Sequence, residues 1–246
     1  MKVKQNMLNF TVGPVMSNEK VLRIASNSAP YFRTAEFSEI MLQNEQMMLD
    51  NLNAPDGSRC VFLTTSGTGA MESVVMNVLN NKDKVLVING GSFGKRFLEL
   101  SQLHDLDTTE IKVAFGHQIR SEQLEYFKNK GYTALLVNMH ETSSGNLYDM
   151  NLIASFCKCN GILLIVDAIS SFIADEVDMT ELNAAVVITG SQKALAVQAG
   201  VSIVALNREA LERVKSNKEK CMYLSLKEAL LNAERGQTPF TPAVTT

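Results

Sequence analysis

Short apolar runs rich in β-branched residues recur along the chain, and most of them are continuous rather than alternating with polar residues. Continuous runs of this kind are typical of strands that are buried on both faces of a sheet. The predicted strands are Cys60–Thr64, Val85–Asn89, Ile111–Ala114, Ala134–Asn138, Ile162–Val166, Ala184–Thr189 and Val201–Ala205.

Helical patterns separate many of these strands, at about residues 68–80, 93–103, 121–129 and 149–159. An earlier helix is predicted over residues 36–52, with Ile40 and Met48 among the side chains that face the core. Further helical patterns, rich in Lys and Glu, lie within residues 207–235. Alternation of strands and helices predicts an α/β fold, in which a mostly parallel sheet of seven strands has helices on both faces.

Composition excludes several classes of function. The 246 residues are 46% hydrophobic and carry a net charge of −3, which does not predict a basic surface for nucleic acid. No apolar run approaches the roughly 20 residues of a membrane span, and the first residues lack a signal-peptide pattern. The cysteines and histidines have no metal-ligand spacing, so we expect no metal site and a cytoplasmic protein with reduced thiols.

Two charged residues follow neighbouring strands of the predicted sheet. Asp167 comes directly after the strand at 162–166, and Lys193 lies just past the strand at 184–189. Ligands of open α/β sheets bind outside the carboxyl ends of the strands. A lysine amine that bonds an aldehyde, with a carboxylate that pairs with a protonated ring nitrogen, is what pyridoxal 5'-phosphate requires.

Three further segments follow strands and fit the same cofactor. Thr64–Glu72 opens a helix with small residues, which suits a phosphate and equally an ordinary capped helix start. Phe93, within Asn89–Arg96, suits stacking on an aromatic ring and equally a place in the core. The hydroxyls of His140–Gly145 suit a ring oxygen and equally a polar turn.

These segments, in this order, resemble the class V aminotransferases, which are pyridoxal-phosphate enzymes of fold type I. The motifs are SGTGAME, NGGSFGKR, HETSSG, VDAISS and GSQKAL, and the resemblance covers nearly the whole chain. The nearest branches are the alanine/serine–glyoxylate (or pyruvate) and 2-aminoethylphosphonate–pyruvate aminotransferases. The resemblance therefore implies transfer of an amino group from a small amino acid or aminophosphonate to a 2-oxo acid such as pyruvate or glyoxylate.

Carried over to this sequence, the family pattern implies roles for single residues. Lys193 would bind the cofactor covalently and then act as the base that moves the substrate proton. Asp167 would pair with the ring nitrogen, Phe93 would stack on the ring, and either Thr142 or Ser143 would contact the ring hydroxyl. The implied phosphate contacts are Ser66, Gly67, Thr68 and Gln192.

The resemblance also implies an assembly and a division of the chain. Gly13 and Pro14 would lie near the substrate entrance, within an N-terminal arm of residues 1–17. Residues 18–246 would form the large, cofactor-binding domain of a homodimer, with Thr241 reaching the phosphate in the partner subunit. The C-terminal small domain, which in relatives carries an arginine for the substrate carboxylate, is expected to be missing from this chain.

Other functions stay open at this point. Pyridoxal-phosphate lyases and cysteine desulfurases share the scaffold, although a desulfurase would be expected to have a histidine in place of Phe93. A dinucleotide-binding oxidoreductase fits poorly, because Glu72 stands where the third glycine of its motif should be and Lys193 has no role. A shortened, non-catalytic subunit that binds the cofactor is the remaining alternative.

Overall fold

A sheet of seven strands lies at the centre of the computed structural model, which describes residues 8–246. The strands are β1 (Arg59–Leu63), β2 (Lys84–Asn89), β3 (Asp107–Lys112), β4 (Ala134–Asn138), β5 (His140–Glu141), β6 (Asn146–Leu147), β7 (Leu163–Asp167), β8 (Ala184–Gly190) and β9 (Ser202–Leu206). Strands β5 and β6 pair with each other in a small separate hairpin, and the others form the central sheet.

The order of strands across the sheet is β1-β9-β8-β7-β4-β2-β3. Strand β9 runs antiparallel to both of its neighbours, β1 and β8, and every other pair in the sheet is parallel. Six strands therefore run in one direction, and their carboxyl ends lie along one edge. The predicted α/β class and the mostly parallel sheet of seven strands are confirmed.

Helices cover both faces of this sheet. They are α1 (Glu19–Ala25), α2 (Ala35–Asn51), α3 (Gly67–Val78), α4 (Ser92–Leu103), α5 (Ser121–Glu125), α6 (Met150–Asn160), α7 (Arg208–Ser216) and α8 (Leu226–Ala233). One apolar layer joins the sheet to α2, α5 and α6, and the other joins it to α3, α4, α7 and α8. None of the described helices is long and apolar enough to span a membrane.

The strands have continuous apolar sequences because both of their faces are buried. In β2, Leu86 and Ile88 belong to one apolar layer, while Val85 and Val87 belong to the other. Successive side chains of a strand point to opposite faces, so a strand between two helix layers needs apolar residues at every position.

Two predictions about single elements were wrong. The strand predicted at Ile111–Ala114 is β3, which occupies Asp107–Lys112. The apolar pattern missed its first residues because β3 is an edge strand, where these residues are polar and at least partly exposed. Ile40 was expected to face the core but is 51% exposed. Helix α2 reaches the core only through its C-terminal half, where Glu45 and Met48 are its buried residues.

Candidate active site

The carboxyl edge of the sheet brings together the two charged residues on which the cofactor prediction depends. Asp167 is the last residue of β7, and Lys193 follows the end of the neighbouring parallel strand β8 by three residues. Lys193 lies in the loop of residues 191–201 that returns the chain to β9. The structure thus places both side chains at the edge where open α/β sheets bind their ligands.

Asp167 is a buried carboxylate with few partners. It is 5% exposed; its Oδ1 accepts a hydrogen bond from the backbone N–H of Ile169 at 2.9 Å, and its Oδ2 accepts one from Nδ2 of Asn138. Burial raises the pKa of Asp167 from 3.8 to about 6, against the lowering effect of these two hydrogen bonds. Within residues 8–246 no salt bridge reaches this carboxylate.

Lys193 is half-buried, and the N-terminal segment packs against it. A Cβ atom on Gly13 would lie 2.6 Å from Cδ of Lys193, so only glycine allows this approach. The backbone N–H of Val15 donates to the carbonyl oxygen of Gln192 at 3.0 Å and fixes the segment there. Burial lowers the pKa of Lys193, and the charge of Asp167 partly opposes that shift. A lowered pKa favours the neutral amine, which is the nucleophilic form.

Helix α3 starts at the same edge, directly after β1. Ser66 is its N-cap, and its Oγ accepts a long hydrogen bond from the N–H of Gly69 at 3.4 Å. Among the described residues, none supplies a hydrogen-bond acceptor to the N–H groups of Gly67 and Thr68. These two groups, at the positive end of the helix dipole, are available to an anion.

Helix α4 also starts at this edge, but its first N–H groups are all occupied. Ser143 Oγ accepts from the N–H of Ser92 at 2.9 Å, and Glu141 accepts from those of Phe93 and Gly94 at distances down to 2.9 Å. A carboxylate already lies at the positive end of this helix dipole. Of the two helix starts, that of α3 is therefore the one open to a phosphate.

Phe93 and Arg96 lie next to each other in the first turns of α4. The guanidinium carbon of Arg96 is 4.7 Å from the centre of the Phe93 ring, at cation–π distance. Nη1 of Arg96 donates a hydrogen bond to Thr68 Oγ1 at 2.9 Å, so it also contacts the first turn of α3. Because Arg96 covers one face of the Phe93 ring, another ring can stack only on the opposite face.

The structure separates Thr142 from Ser143 by their partners. Ser143 Oγ donates to Glu141 at 2.6 Å and accepts from the N–H of Ser92, so its hydroxyl is used within the protein. The Thr142 hydroxyl lies 2.6 Å from that of Ser170, in the loop that follows Asp167. Thr142 is thus the hydroxyl directed toward the loop after β7.

The remaining predicted residues differ in their distance from this cluster. Gln192 is next to Lys193 and close to Gly190, where a Cβ would lie 3.0 Å from its Oε1. Pro14 is exposed and comes directly after Gly13, which packs against Lys193. Thr241 is also exposed, in a C-terminal segment anchored by a 3.1 Å hydrogen bond from the N–H of Ala243 to Thr64 Oγ1. The part of the predicted arm at residues 1–7 lies outside the described residues.

Three residues with a part in the site were not singled out by the sequence argument. Asn138 binds Asp167, Glu141 binds the start of α4, and Arg96 bridges Phe93 and Thr68. Glu141 and Arg96 both lie within quoted motifs, and Asn138 is the last residue of a predicted strand. The position of Asn138 at a strand end is a local signal for a site residue, but no local pattern indicates what Glu141 binds.

Comparison with known proteins gives this arrangement a family. Residues 18–229 match the family described as aminotransferase class-V. The chain belongs to this family. Class V aminotransferases and their structural neighbours are pyridoxal-phosphate-dependent enzymes, so the predicted resemblance and the predicted cofactor are confirmed at the level of the family.

Particular relatives show how far the similarity extends. The chain is 33% identical over 237 residues to the soluble hydrogenase 42 kDa subunit of Anabaena cylindrica, a match that spans 94% of this chain and 61% of that protein. It is 29% identical over 191 residues to the L-aspartate–glyoxylate aminotransferase of Paracoccus denitrificans, a match that spans 75% of this chain and 48% of that protein.

A solved structure shows the same fold. An aspartate aminotransferase of subgroup IV from Thermus thermophilus superposes with a TM-score of 0.88 at 30% identity, over 96% of this chain and 66% of that chain. The chain thus spans about half to two thirds of these longer proteins.

The residues at the carboxyl edge fit pyridoxal 5'-phosphate. Asp167 offers a buried carboxylate that lacks a salt-bridge partner among the described residues, and Lys193 offers a half-buried amine on the neighbouring strand end. The open start of α3 at Gly67 and Thr68 offers N–H groups to the phosphate. A cation at the ring nitrogen would compensate the buried charge of Asp167, which the protein itself satisfies only in part.

Proposed function

We propose that this chain binds pyridoxal 5'-phosphate on Lys193 and takes part in the transfer of an amino group from a small amine donor to a 2-oxo acid. One observation carries the proposal: a buried Asp167, with no salt-bridge partner among residues 8–246, and a desolvated Lys193 lie at the ends of adjacent parallel strands. When bound, the cofactor withdraws electrons from the substrate carbon, so that its proton can be removed.

Each residue at the ring then has a defined task. Asp167 holds the proton of the ring nitrogen, which keeps the ring electron-withdrawing. Lys193 would hold the cofactor through its amine and would move the substrate proton; its lowered pKa supports the role of base. Phe93 offers one face of its ring for stacking. Thr142 is the proposed contact of the ring hydroxyl, because its hydroxyl lies beside that of Ser170 in the loop after Asp167, whereas the Ser143 hydroxyl is bound to Glu141 and Ser92 at the start of α4.

The phosphate is proposed to bind at the start of α3. The free N–H groups of Gly67 and Thr68 point from a helix N-terminus, and the hydroxyl of Ser66 and the amide of Gln192 supply further donors. Arg96 adds a positive charge, since it donates to Thr68 and no salt bridge occupies it within the described residues. Gly13 packs against the Lys193 side chain, and Gly13 and Pro14 are proposed to border the substrate entrance.

The proposed donors are alanine, serine, L-aspartate or 2-aminoethylphosphonate, and the proposed acceptors are pyruvate and glyoxylate. The names of the Paracoccus denitrificans and Thermus thermophilus relatives support a small amino acid as donor. The chain matches 61% of the Anabaena cylindrica relative, and the titration described next distinguishes among these donors.

The experiment is a titration followed by chemical trapping. The purified chain is mixed with pyridoxal 5'-phosphate, its visible spectrum is recorded, and the adduct is reduced with borohydride and mapped by peptide mass. We expect the label on Lys193. Addition of L-alanine, L-serine, L-aspartate or 2-aminoethylphosphonate before reduction should change the spectrum for the true donor and prevent the label.

Matched lysine variants make this test specific. Lys193→Ala should abolish the label, whereas Lys95→Ala, which removes an exposed lysine from the neighbouring helix α4, should leave it in place. A label that stays on another lysine in both variants, or no label on the wild type, contradicts the proposal.

We further propose that the protein is a cytoplasmic homodimer. All four cysteines are free, which suits a reducing compartment. Two-fold dimers are the commonest oligomers, and the exposed position of Thr241 leaves this residue available to a partner subunit.

A further inference from the structure

Glu141 is a fully buried carboxylate to which the proposed chemistry gives no part. It is 0% exposed, and no salt bridge reaches it within residues 8–246. Its oxygens accept hydrogen bonds from the N–H of Phe93 at 3.2 Å, from the N–H of Gly94 at 2.9 Å, and from the N–H and hydroxyl of Ser143 at 3.2 and 2.6 Å. Its charge also helps to raise the pKa values of Asp167 and Tyr148.

These contacts replace the N-cap that α4 lacks. The N-cap residue is Gly91, which has no side chain to accept from the first turn. A Cβ on Gly91 would lie 2.6 Å from Cδ of Glu141, so the missing side chain is what allows the carboxylate to enter. Glu141 therefore caps the helix from a segment 47 residues further along the chain, and the helix dipole stabilises its charge.

The position of Phe93 follows from this cap. Its backbone N–H is bound by Glu141, and one face of its ring is covered by Arg96 at 4.7 Å. The cap determines where the first turn of α4 begins, and so the height and tilt of the ring above the edge of the sheet. A stacking partner must be placed within a few tenths of an ångström, and a shifted helix start would misplace the ring.

We infer that Glu141 is a positioning residue that orients Phe93 for stacking on the cofactor ring. The inference rests on the proposed function, because it takes the stacked ring to be that of pyridoxal 5'-phosphate. Glu141 does not touch the cofactor in this account: its charge helps to raise the pKa of Asp167, and the role inferred here acts through the start of α4.

The chemistry of the cap points to an informative variant. Glu141→Gln keeps the shape of the side chain, but one oxygen becomes an NH₂ group that must face at least one of the N–H donors. An unsatisfied buried donor costs about 1–3 kcal/mol, so we expect the first turn of α4 to shift or fray. Binding of pyridoxal 5'-phosphate to the cofactor-free protein should weaken about tenfold.

A double-mutant cycle tests whether Glu141 acts through Phe93. Cofactor affinity and the induced circular dichroism of the bound cofactor are measured for the wild type, Glu141→Gln, Phe93→Ala and the double variant. Phe93→Ala keeps the N–H that Glu141 binds and removes only the ring. When the Phe93 ring is present, we expect Glu141→Gln to weaken binding and to change the dichroism band. In the Phe93→Ala background, Glu141→Gln should have little further effect.

A matched control addresses loss of stability alone. Glu45 is 8% exposed and accepts hydrogen bonds from the N–H of Cys60 and from Arg59, at the start of β1 and thus at the opposite edge of the sheet. Glu45→Gln should lower the free energy of unfolding without altering the dichroism band. If Glu141→Gln does not fold, Ser143→Ala removes the hydroxyl that donates to Glu141 in the same cap and is used in the same cycle.

The possible results separate the two proposals. A wild type that binds no pyridoxal 5'-phosphate contradicts the proposed function and, with it, the inference. A wild type that binds the cofactor, with Glu141→Gln showing the same affinity and dichroism, overturns the inference alone. An equal loss of affinity from Glu141→Gln with and without the Phe93 ring also overturns it, because Glu141 would then not act through that ring.

Discussion

The negative charge of Asp167 is only partly compensated by the groups around it. Two hydrogen bonds, from Ile169 and Asn138, oppose a desolvation that is strong enough to raise its pKa to about 6. The Oδ1 atom of Asn138 is itself buried, and no group within the described part of the chain donates a hydrogen bond to it. Such an arrangement costs stability in the cofactor-free protein, and the proposed pairing with a protonated ring nitrogen would remove that cost.

The first prediction is that Asp167→Asn stabilises the cofactor-free protein at pH 7. A carboxyl whose pKa is higher in the folded protein than in the unfolded chain binds its proton more tightly when folded. Its contribution to stability therefore falls as the pH rises from about 4 to about 6. The difference between 3.8 and about 6 corresponds to an upper limit of ~3 kcal/mol. Rotation of the Asn138 amide would offer its free oxygen to the new NH₂ group.

Urea unfolding of the cofactor-free protein at pH 4, 6 and 7 checks this prediction. The gain should be present at pH 7 and vanish near pH 4, while amino transfer is lost at every pH. Asp83→Asn is the control: Asp83 is also 5% exposed but pairs with Arg213 at 2.9 Å, so its loss should destabilise the protein. A lower stability of Asp167→Asn at pH 7 would show that its charge is already well compensated.

Arg96 contacts both the Phe93 ring and the start of α3, where the phosphate is proposed to bind. It lies on the Phe93 ring and donates to Thr68 Oγ1 at 2.9 Å. We predict that Arg96→Met lowers the affinity for pyridoxal 5'-phosphate about tenfold, since hydrogen bonds to charged groups contribute about 1.5–3 kcal/mol. The affinity for pyridoxal, which lacks the phosphate, should fall less.

Equilibrium titrations with both compounds distinguish the charge from the packing. Lys95→Met, which changes the neighbouring exposed residue, should leave both affinities unchanged. An equal loss for pyridoxal and its phosphate would mean that Arg96 supports the Phe93 ring and does not act on the phosphate.

At the scale of elements, the start of α3 packs tightly against the loop after β7. A Cβ on Gly67 would lie 2.3 Å from Cδ1 of Ile169, and the next atom of that side chain would be 3.4 Å away. The proposed phosphate site is therefore placed relative to Asp167 by one close contact between a helix start and a strand end. Small residues allow such approaches.

This contact predicts a loss and a rescue. Gly67→Ala should destabilise the protein by about 1–3 kcal/mol and weaken cofactor binding, because the new methyl group pushes α3 away from Ile169. Ile169→Val removes the clashing Cδ1 atom, so the double variant should regain most of both properties. Alanine also favours the helix over glycine by about 0.5–1 kcal/mol, which helps the rescue.

Thermal unfolding and cofactor titration of the two single variants and the double variant provide the measurement. Additive losses in the double variant would show that Gly67 is required for a reason other than the contact with Ile169.

At the scale of the whole molecule, an apolar groove of about 410 Å³ lies beside the site. Its walls come from α2, from the loop around Ile173 and from the C-terminal segment, and Ile40 and Met47 remain 51% and 53% exposed along it. Exposed apolar patches of this kind mark surfaces that bind other proteins. We take a second copy of the chain to be the partner, in line with the proposed homodimer.

The corresponding prediction concerns assembly. Sedimentation at micromolar concentration with saturating cofactor should show a dimer for the wild type, and Ile40→Glu with Met47→Glu should shift it to monomer, because a buried unpaired charge is costly. Leu103→Glu, which adds a charge at the far end of α4 where Leu103 is 68% exposed, is the control and should leave the dimer intact. A monomeric wild type contradicts the proposed homodimer.

Local pattern alone predicted the fold and placed the carboxyl end of every strand of the central sheet except β3 within one residue. Runs such as Ala134–Asn138 are apolar at every position because both faces of the strand are covered, and this requirement is visible in any short window. Local pattern failed for β3 and for Ile40. Strand β3 lies at the edge of the sheet and the N-terminal half of α2 is exposed, so neither needs an apolar residue at each position. The residues at strand ends, Asp167 and Lys193, follow from the strands themselves.

Tertiary structure decided which of the two helix starts is open. Both α3 and α4 begin with small residues after a strand; the sequence predicted the phosphate at α3 and ring stacking at α4, without showing whether either helix start is occupied. Only the folded chain brings Glu141 to the first turn of α4, where it occupies the N–H groups and leaves those of Gly67 and Thr68 free. That contact joins residues 47 positions apart, and the loops of a parallel sheet meet only once its strands have paired, so no local window contains it.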